Sequence, residues 1–228
     1  MPVSIGTLFI VGTPIGNLED ITLRALRVLR EVDLVAAEDT RRTGLLLAHN
    51  GIHKPLVSYH EFNEAKRAAE LVQKLQDGLS IALVSDAGMP TLSDPGLRLI
   101  RAVVAAGLKI EVVPGPSALT AALAGSGLPV ERFLFYGFLP YKSSQRRKAL
   151  AALAPLPYAL VFFESPYRLK KSLADMLEIL GDRQVVVGRE LTKKFEEFLR
   201  GGLNQVLKDL ENRTVKGELT VVVEGYRE

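Results

Sequence analysis

The apolar run Ile81-Ala82-Leu83-Val84 ends in Ser85-Asp86-Ala87-Gly88-Met89-Pro90-Thr91-Leu92-Ser93-Asp94-Pro95-Gly96, after which Leu97, Ile100 and Val104 recur at helical spacing. A buried strand, a Gly/Pro loop of fixed path and a helix, in that order, are the repeating unit of an α/β fold. The loop after the strand is where such folds place their ligands. Its small side chains leave peptide N–H and C=O groups accessible, and Asp86 and Asp94 add acceptors. Part of it reads as helix initiation, with Asp94 as the N-cap and Pro95 at the first helical position. Asp86, ahead of the turn, has no such explanation, and ligand contact competes with a tight connection for the loop as a whole.

The chain before this loop alternates strand and helix. Thr7 to Val11 is a short apolar strand that ends in Gly12-Thr13-Pro14-Ile15-Gly16-Asn17. Leu23, Leu26, Leu29 and Val32 make a helical stripe, and Leu34 to Ala37 is the next strand. The polar run Glu38-Asp39-Thr40-Arg41-Arg42 directly follows it, at a sheet edge facing a crevice. Leu56 to Tyr59 is a further short strand ending at His60 and Glu61. A helix from about Asn63 to Asp77 buries Ala68, Leu71, Val72 and Leu75 and stops at Gly78. Gly107 closes the helix through Val104, and Ile110 to Val113 is a strand. Residues 1–113 therefore read as a doubly wound, parallel-sheet domain.

Residues 114–228 follow a different pattern. Pro114-Gly115-Pro116 is a stiff junction, and an Ala-rich helix runs from Ser117 to Gly125-Ser126-Gly127. Strands are expected at Phe133–Tyr136, Tyr158–Phe163, Gln184–Gly188, Glu197–Arg200 and Leu219–Val223, with helices near 144–153, 169–180 and 203–210. A second α/β domain with mixed or antiparallel strands fits this order.

Several chemistries fail on residue type. The chain has no cysteine, which removes disulfides, thiol catalysis and thiolate metal sites and points to a reducing compartment. No run reaches membrane-spanning length, and Met1-Pro2-Val3-Ser4 lacks the basic segment of a leader, so a cytoplasmic protein is expected. Gly12 and Gly16 flank Pro14 with no third glycine, so neither the dinucleotide fingerprint nor a Walker A loop is present. A small charged cofactor without a pyrophosphate is compatible. His49, His53 and His60 have no carboxylates at metal-site spacing, and no metal is expected. His49 and His53 read as surface or helix-end residues, whereas His60 beside Glu61 ends a strand. Ser117 has no base placed by a nucleophile motif and reads as a cap or ligand donor. A formal charge of +3 permits a nucleic-acid partner without requiring one. Arg146-Arg147-Lys148 and the Glu38 to Arg42 segment favour RNA, since backbone recognition uses distributed cations.

Nine segments, in order, carry a resemblance: Thr13-Pro14-Ile15-Gly16-Asn17-Leu18 with Asp20-Ile21-Thr22, Ala37-Glu38-Asp39-Thr40-Arg41, Ser58-Tyr59-His60-Glu61, Ser85-Asp86-Ala87-Gly88, Ser93-Asp94-Pro95-Gly96, Pro114-Gly115-Pro116-Ser117-Ala118, Gly137-Phe138-Leu139-Pro140, Phe163-Glu164-Ser165-Pro166 and Arg189-Glu190-Leu191-Thr192-Lys193. Between Thr7 and Val223 the chain resembles the branch of the tetrapyrrole methylase superfamily that methylates a cytidine 2′-hydroxyl of 16S ribosomal RNA in the small subunit.

The resemblance implies two α/β domains with S-adenosyl-L-methionine in the cleft between them, and a homodimer. Cofactor contacts are expected from Pro14, from Asp86, Gly88, Met89, Ser93 and Asp94, from Ser117 and Ala118, and from Phe162 and Phe163. Glu38, Asp39, Glu61 and Glu164 are the acidic candidates for the hydroxyl proton, none preferred, with Arg41, Arg189 and Lys193 as phosphate or carboxylate partners. Members acting on tetrapyrroles commonly have Gly-Asp-Pro where this chain has Gly88-Met89-Pro90, so the amino-acid end of the cofactor needs another acceptor. Many RNA-modifying members continue into a small C-terminal domain, whereas this sequence stops at Glu228. Methylation of a tetrapyrrole precursor and a non-enzymatic role in ribosome assembly are the competing readings. Phe133, Phe135 and Phe138, near a glycine turn, are candidates for either the core or a dimer contact.

Overall fold

The computed structural model describes residues 6–227, so the expectation drawn from Met1-Pro2-Val3-Ser4 lies outside the described residues. The chain forms two compact units that meet in sequence between Ser117 and Ala118.

The first unit holds five strands, β1 (Thr7–Val11), β2 (Leu34–Ala37), β3 (Leu56–Ser58), β4 (Ile81–Val84) and β5 (Lys109–Val113). They pair in the order β3-β2-β4-β1-β5, all parallel. Helices α1 (Leu23–Glu31), α2 (Thr40–His49), α3 (Glu64–Gln76) and α4 (Leu97–Ala105) connect them. Val11, Val35, Ala37, Ala82, Val84 and Val113 form a core with residues of α1 and α2. Leu8, Ala36, Ile81 and Leu83 form a second core with α3, α4 and Tyr59. Because both faces are covered, central β4 is buried at every residue, which explains its uninterrupted apolar run.

Register fixes where the loops leave the sheet. Ala37 pairs with Val84, Ile10 with Leu83, and Val11 with Val113. The segments that follow β2, β4, β1 and β5 therefore emerge side by side at the carboxyl edge. The chain runs from β1 outward to β2 and β3, then returns through β4 and crosses to β5. Direction thus reverses around β1 and β4, the position at which open α/β sheets take ligands.

Four expectations are corrected in this unit. Leu23 is exposed; Leu29 and Val32 of the expected stripe are buried, together with Ala25 and Val28 that it left out. In α4, Leu97 and Val104 are exposed while Leu99 and Val103 are buried; the helix is apolar on most sides, so periodicity alone left its inward face ambiguous. The N-cap of α4 is Gly96, at φ 141°, and not Asp94 with Pro95 at the first helical position. The loop passes through a backbone conformation that only glycine adopts readily before the helix begins. The polar run after β2 also hides a helix: Thr40 to Arg42 are the first turn of α2, capped by Asp39.

The second unit comprises α5 (Ala118–Ser126), β6 (Phe133–Phe138), α6 (Ser143–Leu153), β7 (Ala159–Glu164), α7 (Leu169–Leu180), β8 (Gln184–Arg189), β9 (Glu197–Gly202), α8 (Leu203–Leu210) and β10 (Leu219–Val223). Its sheet runs β6-β7-β10-β8-β9 and is mixed: β6 and β7 are parallel, and the other pairs antiparallel. Leu160, Phe162, Val185, Val187 and Val221 pack with α6, α7 and α8. The two α/β units, one parallel and one mixed, are the pair that the resemblance implies. No helix among the described residues is long and apolar enough to cross a membrane.

Candidate active site

At the carboxyl edge of the first sheet, the loops are tied to one another by backbone groups. Thr13 and Gly88 exchange hydrogen bonds, Thr13 N–H to Gly88 O at 2.9 Å and Gly88 N–H to Thr13 O at 3.1 Å. Buried Thr13 also donates its hydroxyl to Ser85 O at 3.1 Å. Gly12 and Gly115 approach so closely that a Cβ on Gly12 would lie 2.8 Å from the Gly115 Cα and 2.7 Å from the Met89 sulfur. Glycine is required there because two chain segments share the space of one side chain. Further along the loop, Thr91 (φ 76°) and Ser93 (φ 68°) sit in the left-handed region, a strained arrangement that clusters at ligand clamps.

On the other side of β4, the segment after β2 is locked to the same loop. Glu38 Oε2 accepts the Asp86 N–H at 3.2 Å, and Asp86 Oδ1 accepts the Asp39 N–H at 3.0 Å. The two carboxylates therefore bind each other's loops, and the Arg42 guanidinium, 3.3 Å from Asp86 Oδ2, offsets the charge. Burial pushes the Glu38 carboxyl up, reinforced by the nearby Asp86 charge and opposed by the Asp86 N–H and Arg42. Asp39 has the opposite environment. Its carboxylate accepts from the Arg41 N–H at 2.9 Å and from the guanidinium at 2.7 Å and 3.1 Å, which hold it well below the usual carboxylate range.

The remaining candidates are distributed differently. Glu61 is exposed in the turn after β3. Asn63 Oδ1 accepts the His60 backbone N–H at 2.9 Å, while the His60 Nδ1 is buried without a hydrogen-bond partner among the described residues. Glu164, in the second unit, is buried and accepts from Ser165 N–H at 2.7 Å and Ser172 Oγ at 2.5 Å, with Arg168 Nε at 3.5 Å. Phe162 is wholly buried in the core, on a strand paired on both sides, whereas Phe163 packs against Phe135 and Phe138. Ser117 and Ala118 span the junction into α5. Arg189 pairs with Glu197, and Lys193 with Glu190 and Glu218.

One basic cluster is corrected. Arg146, read with Arg147 and Lys148 as an RNA-facing group, is 4% exposed and bonds the buried Asp175 through Nε at 2.7 Å. Arg147 pairs with Glu178. Two of the three cations thus pair with α7 carboxylates, Arg146 in a buried pair with Asp175 and Arg147 in an exposed one with Glu178.

Sequence reasoning singled out neither Thr13 nor Tyr59 as a site residue, and read Arg42 only as part of the polar run after β2. Tyr59 accepts the Leu99 N–H at 3.1 Å, and burial first, then Glu64, pushes its phenol up to about 12. A threonine between glycine and proline after a buried strand was the available signal for Thr13. Among the described residues, no three His, Asp or Glu side chains converge as a metal site requires.

The profile of the family Tetrapyrrole (Corrin/Porphyrin) Methylases matches residues 7–207. A protein of Thermotoga maritima called ribosomal RNA small subunit methyltransferase I is 52% identical over 220 residues, covering 96% of this chain and 99% of that one. The protein of the same name from Escherichia coli O157:H7 is 51% identical, covering 97% of this chain and 79% of that one. Among solved structures, uroporphyrin-III-C-methyltransferase of Thermus thermophilus is 26% identical with a TM-score of 0.67, covering 95% and 94% of the two chains. The methyltransferase CobJ, at 20% identity and a TM-score of 0.71 over 98% and 96%, shares the fold. Profile, relatives and fold agree with the loop geometry, and the chain belongs to the tetrapyrrole methylase family.

Proposed function

We propose that this protein transfers the methyl group of S-adenosylmethionine to the 2′-hydroxyl of a cytidine in 16S ribosomal RNA. The observation that carries the reading is the 52% identity, over nearly the whole of both chains, to a relative called ribosomal RNA small subunit methyltransferase I. The first unit offers loops drawn together at one sheet edge by the Thr13–Gly88 hydrogen bonds, a close glycine approach at positions 12 and 115 that keeps side chains out, and a strained loop at Thr91 and Ser93. Pro14, Asp86, Gly88, Met89, Ser93, Asp94 and Ser117 would hold it. When bound, it supplies an electrophilic methyl carbon on a sulfonium.

The chain's own contribution is positioning and proton transfer. The ribose oxygen forms a bond to the methyl carbon as the carbon–sulfur bond breaks, and its proton must leave. Glu38 takes that proton: its carboxyl is held by the Asp86 N–H and has a raised affinity for protons, whereas Asp39 stays ionised beside Arg41. Buried Glu164 instead organises Ser165, Ser172 and Arg168. We further propose a cytoplasmic homodimer, because edge strand β6 exposes Phe133 and Phe138; light scattering should give twice the chain mass of 24.9 kDa.

Incubation with labelled cofactor and, separately, immature small subunits, bare 16S RNA and a tetrapyrrole precursor tests the reading. Nucleosides from the labelled RNA should show cytidine carrying the methyl group on ribose by mass spectrometry. Label on the tetrapyrrole alone, or on a base, overturns it.

A further inference from the structure

Two tyrosines of the second unit have no part in its core. Tyr141, 81% exposed, lies in the loop between β6 and α6, and Tyr167, 93% exposed, in the loop between β7 and α7. Strands β6 and β7 are parallel neighbours, with Phe138 opposite Phe163, so both loops leave the same edge of the sheet.

Beneath the rings the backbone is tightly held. Arg168, next to Tyr167, donates from Nη2 to Leu139 O at 2.6 Å and Pro140 O at 3.2 Å, which joins the two loops, and its guanidinium lies 5.5 Å from the centre of the Tyr141 ring. Arg146, fixed by Asp175, donates to Tyr141 O at 3.1 Å. The interior cations thus spend their hydrogen bonds on rigidifying loops whose aromatic faces remain open to solvent. Exposed cations flank those faces: Lys142 directly follows Tyr141, and Lys171 lies in the first turn of α7 after Tyr167. Neither forms an ion pair among the described residues. Residues 118–228 carry 17 Lys and Arg against 13 Asp and Glu, whereas residues 1–117 carry 12 against 13.

We infer that Tyr141 and Tyr167 form a stacking platform for unpaired bases of the RNA substrate, with Lys142 and Lys171 meeting the adjoining phosphates. Aromatic faces on a rigid base, interleaved with cations, are how proteins grip single-stranded RNA, because every base offers a stacking face and every linkage a charge. The inference rests on the proposed RNA reading and adds to it the form of RNA that is held.

The test compares wild type with Tyr141→Ala, Tyr167→Ala and the corresponding Phe variants. Each Ala variant should raise KM for small subunits about tenfold, and weaken anisotropy-measured binding of an unpaired 16S-derived oligonucleotide by about the same factor. The Phe variants should restore both, and the same oligonucleotide annealed to its complement should be insensitive to all four changes. Calorimetric affinity for S-adenosylmethionine and the thermal unfolding midpoint should match wild type. Ala variants with wild-type KM and oligonucleotide affinity overturn the platform, as does a change from dimer to monomer in light scattering, which would assign the rings to a protein contact. Wild-type protein that methylates no RNA overturns the parent reading; ring-dependent binding of the oligonucleotide would still be measured independently of it.

Discussion

Glu38 and Asp39 are consecutive carboxylates whose surroundings drive their proton affinities apart. Burial raises Glu38 above the ordinary value of 4.5, and hydrogen bonds from Arg41 lower Asp39. For Glu38 the folded state favours the protonated form, so its contribution to stability is fully present below pH 4.5 and is lost as pH rises through its folded pKa. Glu38→Gln keeps an oxygen for the Asp86 N–H without a buried charge, and should therefore leave neutral-pH stability unchanged or higher in urea unfolding. Its methyl transfer should nevertheless fall by about 10²-fold or more, with loss of the acid limb of the kcat/KM profile. A Gln variant with the wild-type rate and profile would remove Glu38 from proton transfer. Arg146 illustrates the opposite case, a cation retained for structure. Arg146→Ala would leave the buried Asp175 carboxylate only the Ser143 hydroxyl and the more distant Arg147, and should cost about 3 kcal/mol in urea unfolding, whereas Arg147→Ala, at a more exposed pair with Glu178, should change stability by less than about 1 kcal/mol.

The loop between β4 and α4 is the element on which the first unit's site depends, and its strain can be measured. Thr91→Gly removes a left-handed threonine and should stabilise the protein by about 1 kcal/mol in urea unfolding, while the loosened loop binds S-adenosylmethionine more weakly. Tighter binding would show that the loop's path is not part of the ligand clamp. This loop was legible in the sequence because its glycines and prolines constrain backbone geometry locally, and β4 was legible because a strand covered on both faces is apolar throughout. Helix faces were less legible. Leu97 to Ala105 offers apolar residues on most sides, and only packing against the sheet selects Leu99 and Val103. Nor could the sequence pair Glu38 with Asp86, which lie 48 positions apart and meet only through the β2–β4 register. Arg146-Arg147-Lys148 looked uniformly solvated because nothing local announces that Asp175 is buried opposite it.

At the scale of the whole molecule, the cation excess belongs to residues 118–228, and the formal charge of +3 hides that asymmetry. A basic surface makes RNA affinity salt-dependent, because each phosphate neutralised by a cation releases condensed counterions. For a single strand, the slope of log affinity against log salt concentration is about −0.7 per phosphate contact. Replacing Lys142 and Lys171 with Gln should therefore make the slope for an unpaired 16S-derived oligonucleotide shallower by about 1.4. Lys74→Gln, on the exposed side of α3 in the first unit, should leave it unchanged. The two effects separate charge from stacking: the Lys variants change the slope, whereas Tyr141→Ala and Tyr167→Ala lower affinity at every salt concentration and leave the slope intact. Fluorescence anisotropy from 50 to 300 mM salt (about a twelvefold range of affinity per two contacts) resolves the difference. An unchanged slope in the Lys142 and Lys171 variant, or an equal loss in Lys74→Gln, would move the phosphate contacts off the second unit.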